Sequence, residues 1–483
     1  MLDESEIQSI VQSVLTTLKN QPVTADSTDT TYTQSAPPSS GPEGNGVFND
    51  MDQAIQAGLD AFEKYSIMDL EAHRKGVDAL RDCLRSHAEE FSQMIVEETQ
   101  MGVVQDKVLK HLNVADNTPG VENLETSSWT GSTGHTIEEL VPFGLIGAIT
   151  PVTHPVPTLA NNAIAMLAAG NAVVFNAHPR SKKVCAYSVE VFNKALTSVG
   201  LPDNLITLIR EPSMESAQKI FTHPDIKLLV ITGGPGVVRA AMHTNKKVIA
   251  AGPGNPPVVV DETVDLAETV SRIITGAVFD NNILCIAEKQ VFVVSEVFDA
   301  FMAEMGKAGA VLLNIMQIDK LADMAFQKDE KGQLILNRDL VGQSADKLAD
   351  LIHLTVPDGT VMLYGETGND HIFVREEQMM PFLPIIRARD FEDAVELAYQ
   401  SEHDYGHTAI IHSNNMERVT RFIKKMRCCI NVVNGASPDA LNPLTTGGYT
   451  THTVASPTGE GVTVPRTFTK IRRITINHSM TFI

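Results

Sequence analysis

Val141-Pro-Phe-Gly-Leu-Ile-Gly-Ala-Ile-Thr150 is an apolar run that reads as one buried strand, and Pro151-Val-Thr-His-Pro155 follows it as a turn. Thr158 to Ala169 has the composition of a helix, with Gly170 placed to end it, and Ala172 to Phe175 is a second apolar run. Strand, helix and strand in this order make one crossover unit of a parallel sheet. The pattern continues outward. Ile206 to Ile209, Leu228 to Ile231, Val258 to Val260 and Val291 to Val294 are further short apolar runs between helical segments. The chain is therefore expected to be α/β, with ligands held beyond the carboxyl ends of its strands. One strand ends in Ile231-Thr-Gly-Gly-Pro-Gly236, with a helix, Val237 to Met242, behind it. Small residues there let phosphates approach a helix N-terminus, although the spacing is not G-x-G-x-x-G and alone is a weak signal.

The 483 residues are enough for two or more domains. A net charge of −21 argues against a nucleic-acid binder and against docking on anionic membrane. No apolar run is long enough to span a bilayer. The five cysteines form no metal-ligand ladder, which gives no sign of a metal, and so sparse and odd a count suits a reducing compartment.

Cys285 is the candidate nucleophile. It follows the polar Asp280-Asn-Asn282 and precedes the strand at Val291, so a loop presents it at the edge of a sheet. A thiolate adds to a carbonyl and leaves as a thioester, and so can carry an acyl group between two half-reactions. The competing reading is a buried structural cysteine. Cys83, Cys185, Cys428 and Cys429 are read as structural.

Residues 1–20 carry one apolar stripe, Ile7, Ile10, Val11, Val14, Leu15 and Leu18, on a helix that Asp3 or Ser5 caps. Residues 21–46 are rich in Ser, Thr, Pro and Gly and read as a flexible linker. A helix this short needs a surface to cover: its own domain, an oligomer contact, or another protein's groove. Residues 49–100 show long helical periodicity through Leu70, Val77, Leu80, Leu84 and Phe91, with Asp50 and Gln53 resembling a capping box. Residues 120–140 suggest strand or loop.

Together the motifs resemble the aldehyde dehydrogenase superfamily, and within it the CoA-acylating propionaldehyde and acetaldehyde dehydrogenases of bacterial microcompartments. They are Pro151-Val-Thr-His-Pro155, Ala168-Ala-Gly-Asn171, His178-Pro-Arg180, Thr232-Gly-Gly-Pro-Gly236, Ala251-Gly-Pro-Gly-Asn-Pro-Pro-Val-Val-Val-Asp261, Phe279-Asp-Asn-Asn-Ile-Leu-Cys285, Met380-Pro381, His407-Thr-Ala and Pro457-Thr-Gly-Glu-Gly461, in the family's order. The resemblance implies an NAD-binding domain over 47–250, with part of a β-element for oligomerisation near 120–140. It implies a catalytic domain over 251–440 and a returning segment over 441–483. It also implies a homodimer or homotetramer in the bacterial cytoplasm, within a microcompartment. Residues 1–20 resemble the peptides that join cargo to a shell or cargo protein.

By the same resemblance Cys285 is the nucleophile and Thr153 stands where hydrolytic members place an oxyanion-binding Asn. Thr150, Pro151, Thr232, Gly233, Gly234 and Gly236 line the cofactor, and Glu377 holds the nicotinamide ribose. Asn176 falls where many hydrolytic members have an adenosine-ribose lysine. Their water-activating Glu is replaced by Ala250, in Ala250-Ala-Gly-Pro-Gly254. Water needs a base, whereas the CoA thiol is itself a good nucleophile. The implied reaction is oxidation of a short aldehyde, acetaldehyde or propionaldehyde, with NAD and coenzyme A, giving acyl-CoA through acyl-Cys285. The alternatives are a hydrolytic enzyme with another base and an inactive cargo or scaffold protein. His154 and His407 are candidates for proton transfer or for structural hydrogen bonds, and Arg180 and Lys183 for a phosphate contact or a solvated face. Asp439 to Tyr449 departs from the family's glycine-rich pattern near the substrate mouth.

Overall fold

The computed structural model describes residues 45–328 and 334–480. The expected helix over 1–20 and most of the expected linker lie outside the described residues. Gly46, read as the end of that linker, is instead packed into the body, with Asn45 exposed beside it. Gly46 has φ +87°, its carbonyl accepts from Leu208 N–H at 2.8 Å, and a Cβ there would meet Asn193 Nδ2 at 2.2 Å.

Two parallel sheets dominate. The first has six strands in the order Val47–Phe48, Ile206–Ile209, Ala172–Asn176, Leu145–Ile149, Leu228–Thr232 and Lys247–Ala251. All six strands are parallel, and the order in which they are added reverses at Leu145–Ile149. Strands added before it in space run one way in sequence and those after it the other, which opens a crevice at the carboxyl ends of Leu145–Ile149 and Leu228–Thr232. Gly147 is required here, because a Cβ would lie 2.2 Å from Ile220 on the covering helix Met214–Thr222. The helix Pro155–Ala168 is buried along its whole length, which its all-round apolar composition demands.

The second sheet has seven strands, in the order Val311–Leu312, Leu363–Glu366, Phe382–Ala388, Gln290–Val294, Pro257–Val260, Thr408–His412 and Ile430–Val433. The chain passes from the carboxyl end of Lys247–Ala251 through Gly252–Asn255 straight to the amino end of Pro257–Val260. That short link sets the carboxyl edge of one sheet against the amino edge of the other.

The single strand expected over 141–150 is two. Gly134–Pro142 joins Ser127–Thr130 and Thr469–Asn477 in a three-stranded antiparallel sheet, and only Leu145–Ile149 enters the six-stranded one. Gly144, at φ +120°, makes the break, and Asn171 Oδ1 holds it by accepting the N–H groups of Phe143 and Gly144. The run hid the break because it is apolar on both sides of Gly144, although Gly134–Pro142 is only half-buried and Leu145–Ile149 is fully buried. The helical stretch over 49–100 is likewise three helices, Met51–Tyr65, Leu70–Ser86 and Ala88–Thr99. Asp50 caps the first, accepting from Asp52 and Gln53 N–H at 3.0 Å. Val77, Leu80, Leu84 and Phe91 are buried as expected, but Leu70 opens its helix and is 51% exposed. No helix among the described residues is long and apolar enough to cross a membrane.

Candidate active site

Four neighbouring strands of the second sheet bring their amino ends together. Gly254 precedes Pro257–Val260, Cys285 precedes Gln290–Val294, Glu377 precedes Phe382–Ala388 and His407 immediately precedes Thr408–His412. Gly254 is their meeting point. A Cβ on it would stand 2.6 Å from the Cys285 carbonyl oxygen and 3.2 Å from the His407 ring. Its N–H also serves the Glu377 carboxylate. The carboxyl-end expectation does not describe the second sheet. Cys285 sits at the amino end of its own sheet, because the link through Gly252–Asn255 turns that edge toward the first sheet's crevice.

The loop before Cys285 is held in an uncommon shape. Asp280, Asn281 and Asn282 have φ of 51°, 54° and 65°, in the left-handed region that Asn and Asp tolerate better than other side chains. Each is anchored. The buried Asp280 carboxylate accepts from Lys107 Nζ at 2.9 Å, from Lys110 Nζ, and from Val103 N–H at 2.7 Å. Asn281 Nδ2 donates to Gly342 O at 2.9 Å. Asn282 Nδ2 donates to Ala277 O at 2.8 Å and Glu288 O at 3.0 Å. Lys289, fully buried, donates to Asn282 O at 2.8 Å.

Electrostatics set the resting state. Burial and then the Glu377 charge push the half-buried Cys285 thiol up to about 11, against the opposing pull of Lys289 and Lys110. Burial raises Glu377 to about 7, with Lys289 opposing. Burial lowers Lys289 to about 8, and burial with the Lys289 charge lowers His407 to about 4. His407 Nδ1 is 2.9 Å from Thr408 Oγ1, while its Nε2 and Glu377 Oε1 are buried without partners. The site thus holds a protonated thiol, a neutral imidazole, and two buried polar atoms without partners, His407 Nε2 and Glu377 Oε1.

The crevice of the first sheet holds the expected cofactor residues. Thr150 is buried with its hydroxyl unpartnered, and Pro151 is half-buried beside it. Thr232 ends its strand with its hydroxyl 2.9 Å from Thr453 Oγ1. A Cβ on Gly233, Gly234 or Gly236 would meet nothing within 4 Å, so this turn fronts open space at the start of helix Pro235–Met242. Asn176 is already engaged, since Oδ1 accepts from Ser216 Oγ at 2.5 Å and Nδ2 faces Ser213 O at 3.4 Å. Thr153 is half-buried on the turn before His154, which is buried and caps helix Pro155–Ala168.

Arg180 donates to Thr99 O at 3.2 Å, and Lys183 is exposed. Cys83, Cys185 and Cys428 are buried, as structural cysteines would be. Cys429, read with them, is exposed, because the chain turns outward at Arg427 before the edge strand Ile430–Val433. The loop over 439–449 forms a short helix, Pro443–Thr446, and leaves Leu444 86% exposed. Sequence reasoning missed Gly254, Lys110, Asp280 and Lys289. Glu288-Lys289 was legible in principle, since two charges lead directly into a strand that is otherwise apolar. A cavity of about 700 Å³ lined by Leu313, Thr367, Ile386 and Arg387 lies at the other end of the second sheet and contains none of these groups.

A model of the aldehyde dehydrogenase family matches residues 45–463. An acetylating acetaldehyde dehydrogenase of Salmonella typhimurium is 40% identical across 98% of this chain and 98% of its own. A propionaldehyde dehydrogenase from the fucose utilisation bacterial microcompartment of Clostridium phytofermentans superposes with a TM-score of 0.87 at 42% identity, covering 91% of this chain and 100% of its own. A propionaldehyde dehydrogenase of Rhodopseudomonas palustris, solved with bound CoA and an acylated cysteine, also gives 0.87, at 38% identity over 91% of this chain and 100% of its own. The resemblance read from the motifs is thereby borne out, and the chain belongs to the aldehyde dehydrogenase family.

Proposed function

We propose that the protein is a CoA-acylating aldehyde dehydrogenase that converts a short aliphatic aldehyde, acetaldehyde or propionaldehyde, to its acyl-CoA with NAD, through a thioester on Cys285. The observation that carries this reading is a thiol at the site with no carboxylate on the strand Lys247–Ala251, which leads through Gly252–Asn255 into it. Lys247–Ala251 reads Lys-Val-Ile-Ala-Ala, and Ala250 is fully buried with its N–H donated to Thr458 Oγ1 at 3.1 Å. Alanine cannot take a proton from water, so the thioester is left for a thiol to resolve.

The residues present fit a dinucleotide. The open Gly233–Gly236 turn at a helix start suits a pyrophosphate, and the spare oxygens of Thr150 and Glu377 suit hydroxyl or amide partners. When bound, the nicotinamide supplies the hydride acceptor. Cys285 sulfur adds to the aldehyde carbon, and its proton is released to solvent by way of the unpartnered buried atoms of the site, Glu377 Oε1 and His407 Nε2. The Cys285 N–H and the Thr153 hydroxyl hold the oxyanion, each donor contributing a few kcal/mol, on the order of 3. Loss of hydride from that carbon leaves acyl-Cys285. Cys285 then departs as the CoA sulfur takes the acyl group, and the proton lost by the CoA thiol restores the Cys285 thiol.

A second reading has one observation in its favour. Glu377, near 7 and with a spare oxygen, is itself suited to activate water, which would make the enzyme hydrolytic. NADH formation from propionaldehyde with and without CoA, on wild type and Cys285→Ala, separates the two. CoA-dependent turnover that vanishes in the variant supports acyl transfer, and equal rates without CoA support hydrolysis.

Residues 1–20 are proposed as a docking tag for a microcompartment protein, and the three-stranded sheet, with Trp129 and Ile471 exposed, as the contact of a homodimer or homotetramer. Deleting residues 1–20 is expected to leave solution activity intact while abolishing encapsulation.

A further inference from the structure

Behind the Cys285 loop lies a buried cluster of charges that the mechanism above leaves unused. Helix Val104–Asn117 contributes Lys107 and Lys110, and both ammonium groups donate to Asp280 Oδ2. Asp106, from the same helix, accepts the Asp280 backbone N–H at 2.7 Å. Lys110 has a second partner. Its Nζ lies 3.2 Å from His154 Nδ1, and it also stands 5.5 Å over the Phe279 ring. His154 directly follows Thr153. A single ammonium is therefore bonded at once to the loop that carries Cys285 and to the turn that carries Thr153.

We propose that Lys110 is a positioning residue for thioester formation, clamping the Cys285 loop to the Thr153 turn and fixing His154 as its Nε2–H tautomer. The inference rests on Cys285 being the nucleophile of the proposed function. Burial lowers Lys110 to about 8, with the Asp280 carboxylate opposing, and in its ammonium form it only donates, so His154 Nδ1 then accepts. Burial, reinforced by the Lys110 charge, holds His154 well below its ordinary value, so the ring is neutral; with Nδ1 accepting, its one proton lies on Nε2, which is buried without a hydrogen-bond partner among the described residues. The ring also faces the Ile283 backbone, two residues before Cys285. The clamp acts on charge as well as on geometry. Lys110, with Lys289, favours the Cys285 thiolate against burial and Glu377. The other charged groups facing Lys110 are Asp280, Lys107 and Asp106. Removing Asp280 would strand two buried ammonium groups, so the informative changes are at Lys110 and His154.

The test uses the full chain as Lys110→Met, His154→Leu and His154→Asn. Asn is chosen because its Oδ1 can accept where Nδ1 does. Two quantities are read: iodoacetamide incorporation at the Cys285 peptide at pH 8, by mass spectrometry, and kcat and KM for propionaldehyde. Lys110→Met is expected to slow alkylation about tenfold and to lower kcat about 100-fold with KM within about twofold. His154→Leu should match its kcat, and His154→Asn should recover to within about fivefold of wild type. Wild-type alkylation and kcat in folded Lys110→Met would overturn the proposal. If Lys110→Met does not fold, equal kcat in the two His154 variants overturns it and rescue by Asn supports it. Alkylation that depends on Lys110 in an enzyme whose Cys285 takes no acyl group from aldehyde would refute the assigned reaction and leave the clamp standing.

Discussion

Gly254 and Cys285 are packed backbone against backbone, with room for no more than a hydrogen on Gly254 before the Cys285 carbonyl oxygen is met at 2.6 Å. The obstacle is main chain, which cannot swing aside as the end of a side chain can. The His407 ring, 3.2 Å from the same point, blocks the alternative direction. Gly254→Ala must therefore push the Cys285 loop out of register. A displacement near 1 Å costs about 100-fold in rate at such a site. The expected result is a folded protein with kcat reduced on that scale and Cys285 still open to alkylation, checked by steady-state kinetics beside a thermal melt. Wild-type kcat in this variant would mean that the loop is free to shift and that its observed shape does not matter.

Glu377 and Lys110 act on the same thiol with opposite sign. The Glu377 charge raises the Cys285 thiol, and Lys110 lowers it. Glu377→Gln removes a negative charge and should increase the thiolate fraction at pH 8. Alkylation of Cys285 is expected to quicken several-fold, about 3 to 10. Turnover should fall at the same time, because the ribose contact proposed for Glu377 is lost. Slower alkylation in Glu377→Gln would reverse the sign assigned to that carboxylate.

What was legible in the sequence follows from how local each signal is. The strands Ala172–Asn176 and Gln290–Val294 are buried along their whole length, and Ala172–Phe175 and Val291–Val294 within them are unbroken apolar runs that the sequence shows directly. The break at Gly144 was invisible, because it depends on Asn171, which is distant in sequence. Cys285 was found from its setting between a polar turn and a strand. Lys110 was not, since a lysine on an amphipathic helix normally faces water, and its burial depends on Asp280 and His154 arriving from elsewhere in the chain. Asn176 shows the reverse case. Position in the motif suggested a cofactor contact, and Ser216 and Ser213 already occupy its amide.

Thr153 is the side-chain donor proposed for the oxyanion. Thr153→Ala should lower kcat and kcat/KM together, by about 10- to 100-fold, because the interaction forms only as negative charge develops on oxygen. Thr153→Ser keeps the hydroxyl and is expected to stay within about threefold. A loss confined to KM would assign Thr153 to substrate binding.

Glu288 offers a pH test that needs no substrate. Its carboxylate is wholly buried, accepts the Ser437 N–H at 2.9 Å and hydroxyl at 2.7 Å, and is pushed up from 4.5 to about 7, chiefly by burial. Between pH 4.5 and 7 the folded state therefore binds more protons here than the unfolded state. Stability from this group is fully present below the unfolded value and is lost as pH rises through the folded one. The loss is on the order of 3 kcal/mol when complete. Glu288→Gln imitates the protonated form at every pH. The melting temperature of the variant minus that of wild type is expected to grow from pH 5 to pH 7 and then to level off. A difference that stays flat over that interval would mean that Glu288 is charged throughout, with Lys289 and the Ser437 hydrogen bonds outweighing burial.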